Sequence, residues 1–121
     1  MTTSVDTPSG LQVERSLDVA ASEARLAAAN MANIDTPGYQ AQGMDFAREM
    51  RAAIDGVNAG SGSSSVQVRP EGGLIARPDG NNVSMDRESL NLAEAQLHFK
   101  TGVALLRQQY QMVLDAIHAD K

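Results

Sequence analysis

Residues 27–46 read AAANMANIDTPGYQAQGMDF, and a long helical pattern stops within this stretch. Pro37 has no amide hydrogen, and its ring disfavours the α region for Thr36. Gly38 follows, and a Pro-Gly pair at the two central positions of a turn favours type II. The sequence therefore predicts that the first helix ends near Ile34. It also predicts that this turn sets the direction in which the chain leaves the helix.

Two asparagines of this stretch, Asn30 and Asn33, are three positions apart and so lie on one side of the last helical turn. A side-chain amide carries two donors and an acceptor. It can therefore bind exposed carbonyls at the helix end or reach a neighbouring chain. An ordinary helix stop with polar caps is the simpler interpretation of these residues, and both interpretations stay open at this point.

The segment before the turn has heptad-like spacing of small apolar residues, which predicts a helix from Leu11 onward. Alanine makes up most of this seam, so a partner helix can approach closely but little area is buried. Such a helix needs tertiary or quaternary contacts to persist. We expect residues 1–10 to form a flexible arm, and residues 11–55 to form the N-terminal helix, the TPGY turn and a short helix. The seam consists of Leu17, Ala21, Ala24, Ala28 and Met31.

A shorter helix is predicted after the turn, because Phe46, Met50 and Ile54 step by four and Asp55-Gly56 follows as a stop. Residues 56–65, GVNAGSGSSS, have the composition of a flexible linker.

Two short runs with β character follow at residues 66–68 and 74–76, with turn residues between them. They predict a small β-hairpin within a 56–84 region.

The longest helical pattern covers residues 85–118, within a C-terminal region 85–121. Asp86 is a candidate N-cap, with Ser84 as the alternative. A helix of about 33 residues is roughly 50 Å long, which exceeds the needs of a small globule. The sequence therefore predicts a mainly α fold, whose long N- and C-terminal helices pair as a coiled-coil-like rod domain. The apolar stripe of this helix is Leu92, Ala95, Phe99, Val103, Leu106, Tyr110, Val113 and Ile117.

Composition excludes several classes of function. The chain has 121 residues, a net charge of -5 and no basic block, which argues against nucleic acid as a partner. It has no cysteine, and no stretch reaches the roughly 20 apolar residues of a membrane span. The first twenty residues lack a basic start and an apolar centre, so we expect no cleaved secretion signal.

No pattern of catalytic residues is present. His98 and His118 are twenty positions apart on one predicted helix, hence about 30 Å apart, and cannot share a metal within one chain. The sequence has no HExxH motif, EF-hand loop or phosphate-binding loop. We therefore expect no enzymatic activity, no cofactor and no metal site.

Two motifs resemble known families. The first resembles the L-x-x-x-N-x-A-N-x-x-T-x-G signature of the flagellar axial proteins, which are the rod, hook and hook-associated subunits. The second, residues 79–88 with the sequence DGNNVSMDRE, resembles the D-G-N-x-V-x-M-D-x-E run of one proximal rod protein family. The residues that carry the first motif are Leu26, Asn30, Ala32, Asn33, Thr36, Pro37, Gly38 and Tyr39.

This resemblance implies a structural subunit of the flagellar proximal rod, located in the periplasm and exported through the flagellar type III apparatus. It implies contacts with copies of itself, other proximal rod proteins, the rod–ring adaptor and the membrane-supramembrane ring. A soluble helical adaptor and a needle-like component of a secretion system are the alternatives. The first motif would serve assembly. Helix packing would use Leu17, Ala24, Met31, Leu92, Phe99, Val103, Leu106, Tyr110, Val113 and Ile117.

Overall fold

The computed structural model of the chain describes residues 8–60, 62 and 65–119. The described part has three helices and a two-stranded antiparallel sheet, which confirms the mainly helical fold with long terminal helices. The predicted arm lies outside the described residues except for 8–10, which already form the start of the first helix. The elements are α1 (Pro8–Ala32), β1 (Gln42–Gly43), α2 (Phe46–Asn58), β2 (Arg69–Pro70) and α3 (Met85–Ala119).

The two long helices run antiparallel. Leu17 of α1 lies against Gly102 of α3, whereas Glu23, further along α1, contacts His98, which comes earlier in α3. α1 has 25 residues and α3 has 35, so α3 is the longer rod by roughly 15 Å. The shorter α2 packs on α1, and the sheet lies beside the C-terminal end of α1.

Small side chains dominate the interior. Residues of the core contribute little apolar area each, as the alanine-rich sequence predicts. Large apolar side chains lie on the surface of α3 instead, among them Leu97, Leu114 and Ile117, each more than two-fifths exposed. The single chain therefore leaves much of its apolar surface without a partner. The buried apolar residues are Val13, Val19, Ala20, Ala27, Ala41, Val83 and Ala95.

α2 ends later than predicted. Its N-cap is Asp45, whose side chain accepts a hydrogen bond from the Arg48 amide at 3.1 Å. The stop predicted at Asp55-Gly56 is wrong, because the helix continues through Gly56 to Asn58. Gly60 ends it instead: this glycine takes a φ of 72°, the left-handed conformation that commonly follows a helix C-terminus.

The sheet is not the hairpin predicted between residues 66–68 and 74–76. Neither run forms a strand, and β1 pairs with β2 in the register Gln42↔Pro70 and Gly43↔Arg69. Pro70 has no amide hydrogen and fits only at a sheet edge. The strand that it pairs with follows the Pro-Gly turn, and the partner of Pro70 is Gln42, twenty-eight residues earlier in the chain, so no local pattern could reveal the pairing.

α3 is capped by Ser84, the alternative of the two predicted caps. The Ser84 hydroxyl accepts a hydrogen bond from the Arg87 amide at 3.3 Å, and the Ser84 carbonyl accepts the first intrahelical bond, from Glu88, at 2.9 Å. The prediction of Asp86 as N-cap is wrong, because Asp86 is already in the first turn. Its negative charge there suits the positive end of the helix dipole.

Gly102 leaves a notch in α3 that Leu17 occupies, although glycine has a low helix propensity. A Cβ atom at Gly102 would lie 2.6 Å from Leu17 Cδ2 and 3.2 Å from Leu17 Cγ. We expect Gly102→Leu to lower the free energy of unfolding by about 1–3 kcal/mol, because overpacking outweighs the better helix propensity of leucine. Urea unfolding followed by circular dichroism measures this change. Adding Leu17→Ala should restore part of the loss, and a Gly102→Leu chain more stable than the wild type would contradict the notch.

Candidate functional site

The two sequence motifs meet in space. We call the contact between residues 30–42 and residues 77–83 the motif junction. Its backbone bonds join segments about forty residues apart: the Gly38 amide donates to the Asp79 carbonyl at 2.8 Å, and the Asn82 amide donates to the Tyr39 carbonyl at 3.2 Å. The junction thus connects the end of α1 to the entrance of α3.

The turn after α1 has the predicted form. The Tyr39 amide donates to the Thr36 carbonyl at 3.2 Å, and Gly38 has a φ of 75°, so the glycine stands where a type II turn requires it. Gly80, also at positive φ, approaches closely: a Cβ atom there would lie 3.4 Å from Gly38 Cα. The two turns therefore lie against each other.

Asn30 ties the last turns of α1 to β1. The residue is fully buried, and its amide nitrogen donates to the Gln42 carbonyl at 2.7 Å. Its oxygen Oδ1 accepts from the Gln42 amide at 3.0 Å and from the Tyr39 hydroxyl at 3.1 Å. Asn33 acts locally, because it donates to the Ala29 carbonyl at 2.8 Å and accepts from the Thr36 hydroxyl at 3.1 Å. Both asparagine side chains are occupied within the chain.

Asn81 locks the junction from the side of α3. It is fully buried, and its amide nitrogen donates to the Asn33 carbonyl at 2.9 Å and to the Thr36 carbonyl at 2.8 Å. Its Oδ1 accepts from the Val83 amide at 2.8 Å. This one side chain therefore adds a second donor to two carbonyls in the turn that follows α1, beside the amides of Thr36 and Tyr39.

Asn82 fixes the strand that follows the turn. Its Oδ1 accepts from the Ala41 amide at 2.6 Å, and its amide nitrogen donates to Gln40 Oε1 at 3.1 Å. Sequence patterns predicted no more than a loop at Asn81 and Asn82. Two adjacent asparagines ahead of a helix cap are the signal that could have suggested a buried polar lock.

Arg77 closes the junction on its other side. Its guanidinium donates to the Ile34 carbonyl and, at 3.3 Å, to the Val83 carbonyl. A cation beside the carbonyls at the C-terminal end of α1 also suits the negative end of the helix dipole. The sequence contains no pattern that singles out Arg77, because its partners are six and forty-three positions away.

The other residues of the first motif lie around this core. Tyr39 and Leu26 are half-buried, whereas Ala32, Thr36, Pro37 and Gly38 are exposed. The exposed members face outward on a backbone that the junction holds in place. Whether they contact a neighbouring subunit stays a prediction.

The residues predicted for helix packing divide into two groups. Half-buried in the single chain are Leu17, Ala24, Met31, Leu92, Val103 and Leu106. Exposed are Phe99, Tyr110, Val113 and Ile117, between 39% and 54%. The role of the second group in packing stays a prediction that concerns the assembled form.

An acidic cavity of about 470 Å³ is lined by residues of α1, β1, β2, α3 and the start of α2. Glu71 and Glu88 approach each other in it, and Asn91 donates to Glu71 Oε1 at 2.9 Å. Burial, together with the neighbouring Glu88 carboxyl, raises the pKa of Glu71 to about 6. His98 and Phe46 also line the cavity, and their rings stack with 3.8 Å between the ring centroids.

Two negative findings concern the described residues 8–60, 62 and 65–119. No group of three or more histidine, cysteine, aspartate or glutamate side chains has the spacing to hold a metal ion there. None of the helices there combines the length and the apolar character that a membrane span requires.

Known proteins similar to this chain share one description. The flagellar basal body rod protein FlgB of Escherichia coli K12 is 31% identical, and the match covers 88% of this chain and 90% of that protein. FlgB of Yersinia ruckeri is 30% identical over 86% of this chain and 89% of its own length. FlgB of Salmonella typhimurium is 29% identical over 86% and 88%. No protein-family model matches the chain.

The chain belongs to the FlgB family. It is accordingly a flagellar basal body rod component, a structural class of protein. The matches cover nearly the whole length of these relatives, so the family assignment includes both long helices and the segments that form the motif junction. The resemblance noted from the two motifs is thereby confirmed.

Proposed function

We propose that this FlgB-family chain is a subunit of the proximal rod, which assembles with its own copies and with other proximal rod proteins into the periplasm-spanning drive shaft. In this proposal the subunit is exported through the flagellar type III apparatus without signal cleavage. The rod–ring adaptor and the membrane-supramembrane ring are its further neighbours. The observation that supports assembly most directly is the exposed part of the apolar stripe of α3, which consists of Phe99, Tyr110, Val113 and Ile117.

Contact with another subunit would bury the C-terminal part of this stripe, and burial of apolar surface is favourable. Tyr110, Val113 and Ile117 lie on the C-terminal turns of α3 and are between 39% and 54% exposed. Covering apolar surface of this kind contributes about 25 cal/mol per Å² buried. Contacts between different surface patches of identical subunits generate a helical filament when the rotation from one subunit to the next does not close into a ring. A rod built in this way would bury the stripe in every subunit.

The role of the stripe in assembly can be tested by substituting isoleucine by aspartate once in the stripe and once at a control position outside it. We expect Ile117→Asp to leave the subunit exported but to exclude it from the rod, because a carboxylate would be buried in a contact between subunits. Ile75→Asp is the matched control, since Ile75 is 91% exposed on the loop before α3. Immunoblots of purified basal bodies and swimming halos measure the outcome, with Ile117→Asp abolishing both signals.

The same experiment separates the alternatives. Normal incorporation of Ile117→Asp into basal bodies would contradict the assembly role of the stripe. A wild-type chain that fractionates with the cytoplasm and never with basal bodies would favour the soluble adaptor, and one found in a secretion needle would favour the needle-like component.

A further inference from the structure

In the acidic cavity, two carboxyl groups each have one buried oxygen atom that accepts no hydrogen bond. Glu88 is fully buried, and its atom Oε1 has no hydrogen-bond partner, nor has the buried atom Oε2 of the half-buried Glu71. The Asn91 amide nitrogen is 2.9 Å from Glu71 Oε1 and 3.5 Å from Glu88 Oε2, so it serves the outer oxygens only. One proton between the two inner oxygens would satisfy both of them, because a protonated carboxyl is a donor.

Glu71 is held in this position by its surroundings. Its amide donates to the Ala41 carbonyl at 2.9 Å, directly after β2, and its side chain covers Gly43 of β1. A Cβ atom at Gly43 would lie 2.8 Å from Glu71 Cγ, so a larger residue there would displace the Glu71 side chain. The carboxyl pair therefore joins the sheet to the first turn of α3.

We propose that Glu71 and Glu88 share one proton and form a pH-dependent latch between β2 and α3. With the proton in place, residues 69–74 are held against α3. When both carboxyl groups are ionised, two like charges face each other in one cavity and the segment is released. The latch is independent of the proposed place of the chain in the rod.

Other charges around the cavity act on the same pair. From α1 comes Glu23, from the start of α2 comes Asp45, and from α3 come Glu94 and His98. The two arginines near the pair are Arg69 of β2 and Arg87 of α3, and Arg87 favours ionised Glu71. Burial and the facing Glu88 outweigh it, so the pKa of Glu71 is raised to about 6 from its usual 4.5. Carboxylates outnumber cations around the cavity, which favours the protonated pair.

The direction of the pH effect follows from this. Between pH 4.5 and about 6 the closed segment binds a proton that the open segment does not. Opening therefore becomes more favourable as the pH rises through that window, by up to about tenfold per pH unit. The partial exposure of Glu71 to solvent reduces this factor. Below the window the latch stays closed.

Hydrogen exchange tests the latch on the full-length chain. Amide exchange of residues 69–74 is measured by mass spectrometry from pH 4.5 to 7.5, each rate divided by that of the urea-unfolded chain at the same pH. We expect protection in the wild type to fall between pH 4.5 and about 6 and to stay level above that window. Glu71→Gln should flatten this dependence with protection retained, because the amide donates to Glu88 at every pH. Gly43→Ala should lose protection at every pH.

A matched control and a second readout keep the test decisive. Glu49→Gln replaces a buried carboxylate that accepts from the Gln67 amide at 3.2 Å and lies apart from the pair, so it should keep the wild-type pH dependence. Carbon-13 NMR of the wild-type carboxyl groups gives the pKa of Glu71 without any variant. An ordinary pKa for Glu71, or a Glu71→Gln chain with the wild-type pH dependence, would overturn the proposal.

Discussion

Asn81→Ala is expected to lower the free energy of unfolding by about 3 kcal/mol. The substitution removes three hydrogen bonds of a fully buried side chain, each contributing about 0.5–1.5 kcal/mol. It also takes one of two donors from each of the Asn33 and Thr36 carbonyls, which keep only the bonds from the Thr36 and Tyr39 amides. Urea unfolding followed by circular dichroism at 222 nm measures the change.

Asn58→Ala is the control for this substitution. Asn58 is exposed at the end of α2 and accepts one surface hydrogen bond, from Gln12 at 3.0 Å. We expect a change within about 0.5 kcal/mol there, as for most surface positions. Equal stabilities for the two variants would show that Asn81 does not hold α1 and α3 together.

Gly38→Val is expected to have the largest effect on rod formation. Gly38 has a φ of 75°, and a β-branched residue in that conformation is strained by roughly 1–3 kcal/mol. No atom lies within 4 Å of the position that a Cβ would take, so the strain is in the backbone. Relief of the strain would turn the chain away from Asp79 and break the bond between the two motifs. In a rod the error would repeat in every subunit.

Gly60→Val is the matched control, because Gly60 has a φ of 72° and likewise no atom within 4 Å of a Cβ. Both variants carry the same backbone strain, but Gly60 lies outside the junction. The comparison is between secreted subunit and subunit recovered in basal bodies. We expect Gly38→Val to be secreted and absent from the rod, and Gly60→Val to be incorporated. Asn33→Ala should resemble Gly38→Val more weakly, because its bonds are local.

Other outcomes of this comparison are informative. Normal incorporation of Gly38→Val would mean that the turn does not organise the subunit for assembly. A loss of secretion equal to the loss of incorporation would instead indicate that the motif acts during export.

Local features of the fold could be predicted from the sequence. The turn at Pro37 and Gly38 follows from the fixed φ of proline and the free φ of glycine, which are properties of the residues themselves. The two long helices follow from apolar spacing that repeats every three or four residues. Even here only the structure shows which residue caps α3, because Ser84 and Asp86 both suit an N-cap by residue type.

Family membership could also be anticipated, because the motifs of residues 26–39 and 79–88 are specific strings. The physical role of these two motifs could not be anticipated from the sequence. The sequence shows Asn30 and Asn81 as two polar residues near a helix end. It does not show that both are fully buried, or that Asn81 donates to carbonyls forty-five and forty-eight positions away.

By itself the sequence determined the helices, the turn after α1 and the family, because these depend on residues close together in the chain. Only the tertiary structure decided how β1 pairs with β2, why Gly102 must be small, and that Arg77, Asn81 and Asn82 lock the motif junction. It also decided that Glu71 faces Glu88. Apart from the bonds of Arg77 and Asn81 to nearby Val83, those contacts join residues at least seventeen positions apart, and no local preference encodes which distant partner a buried polar group will meet.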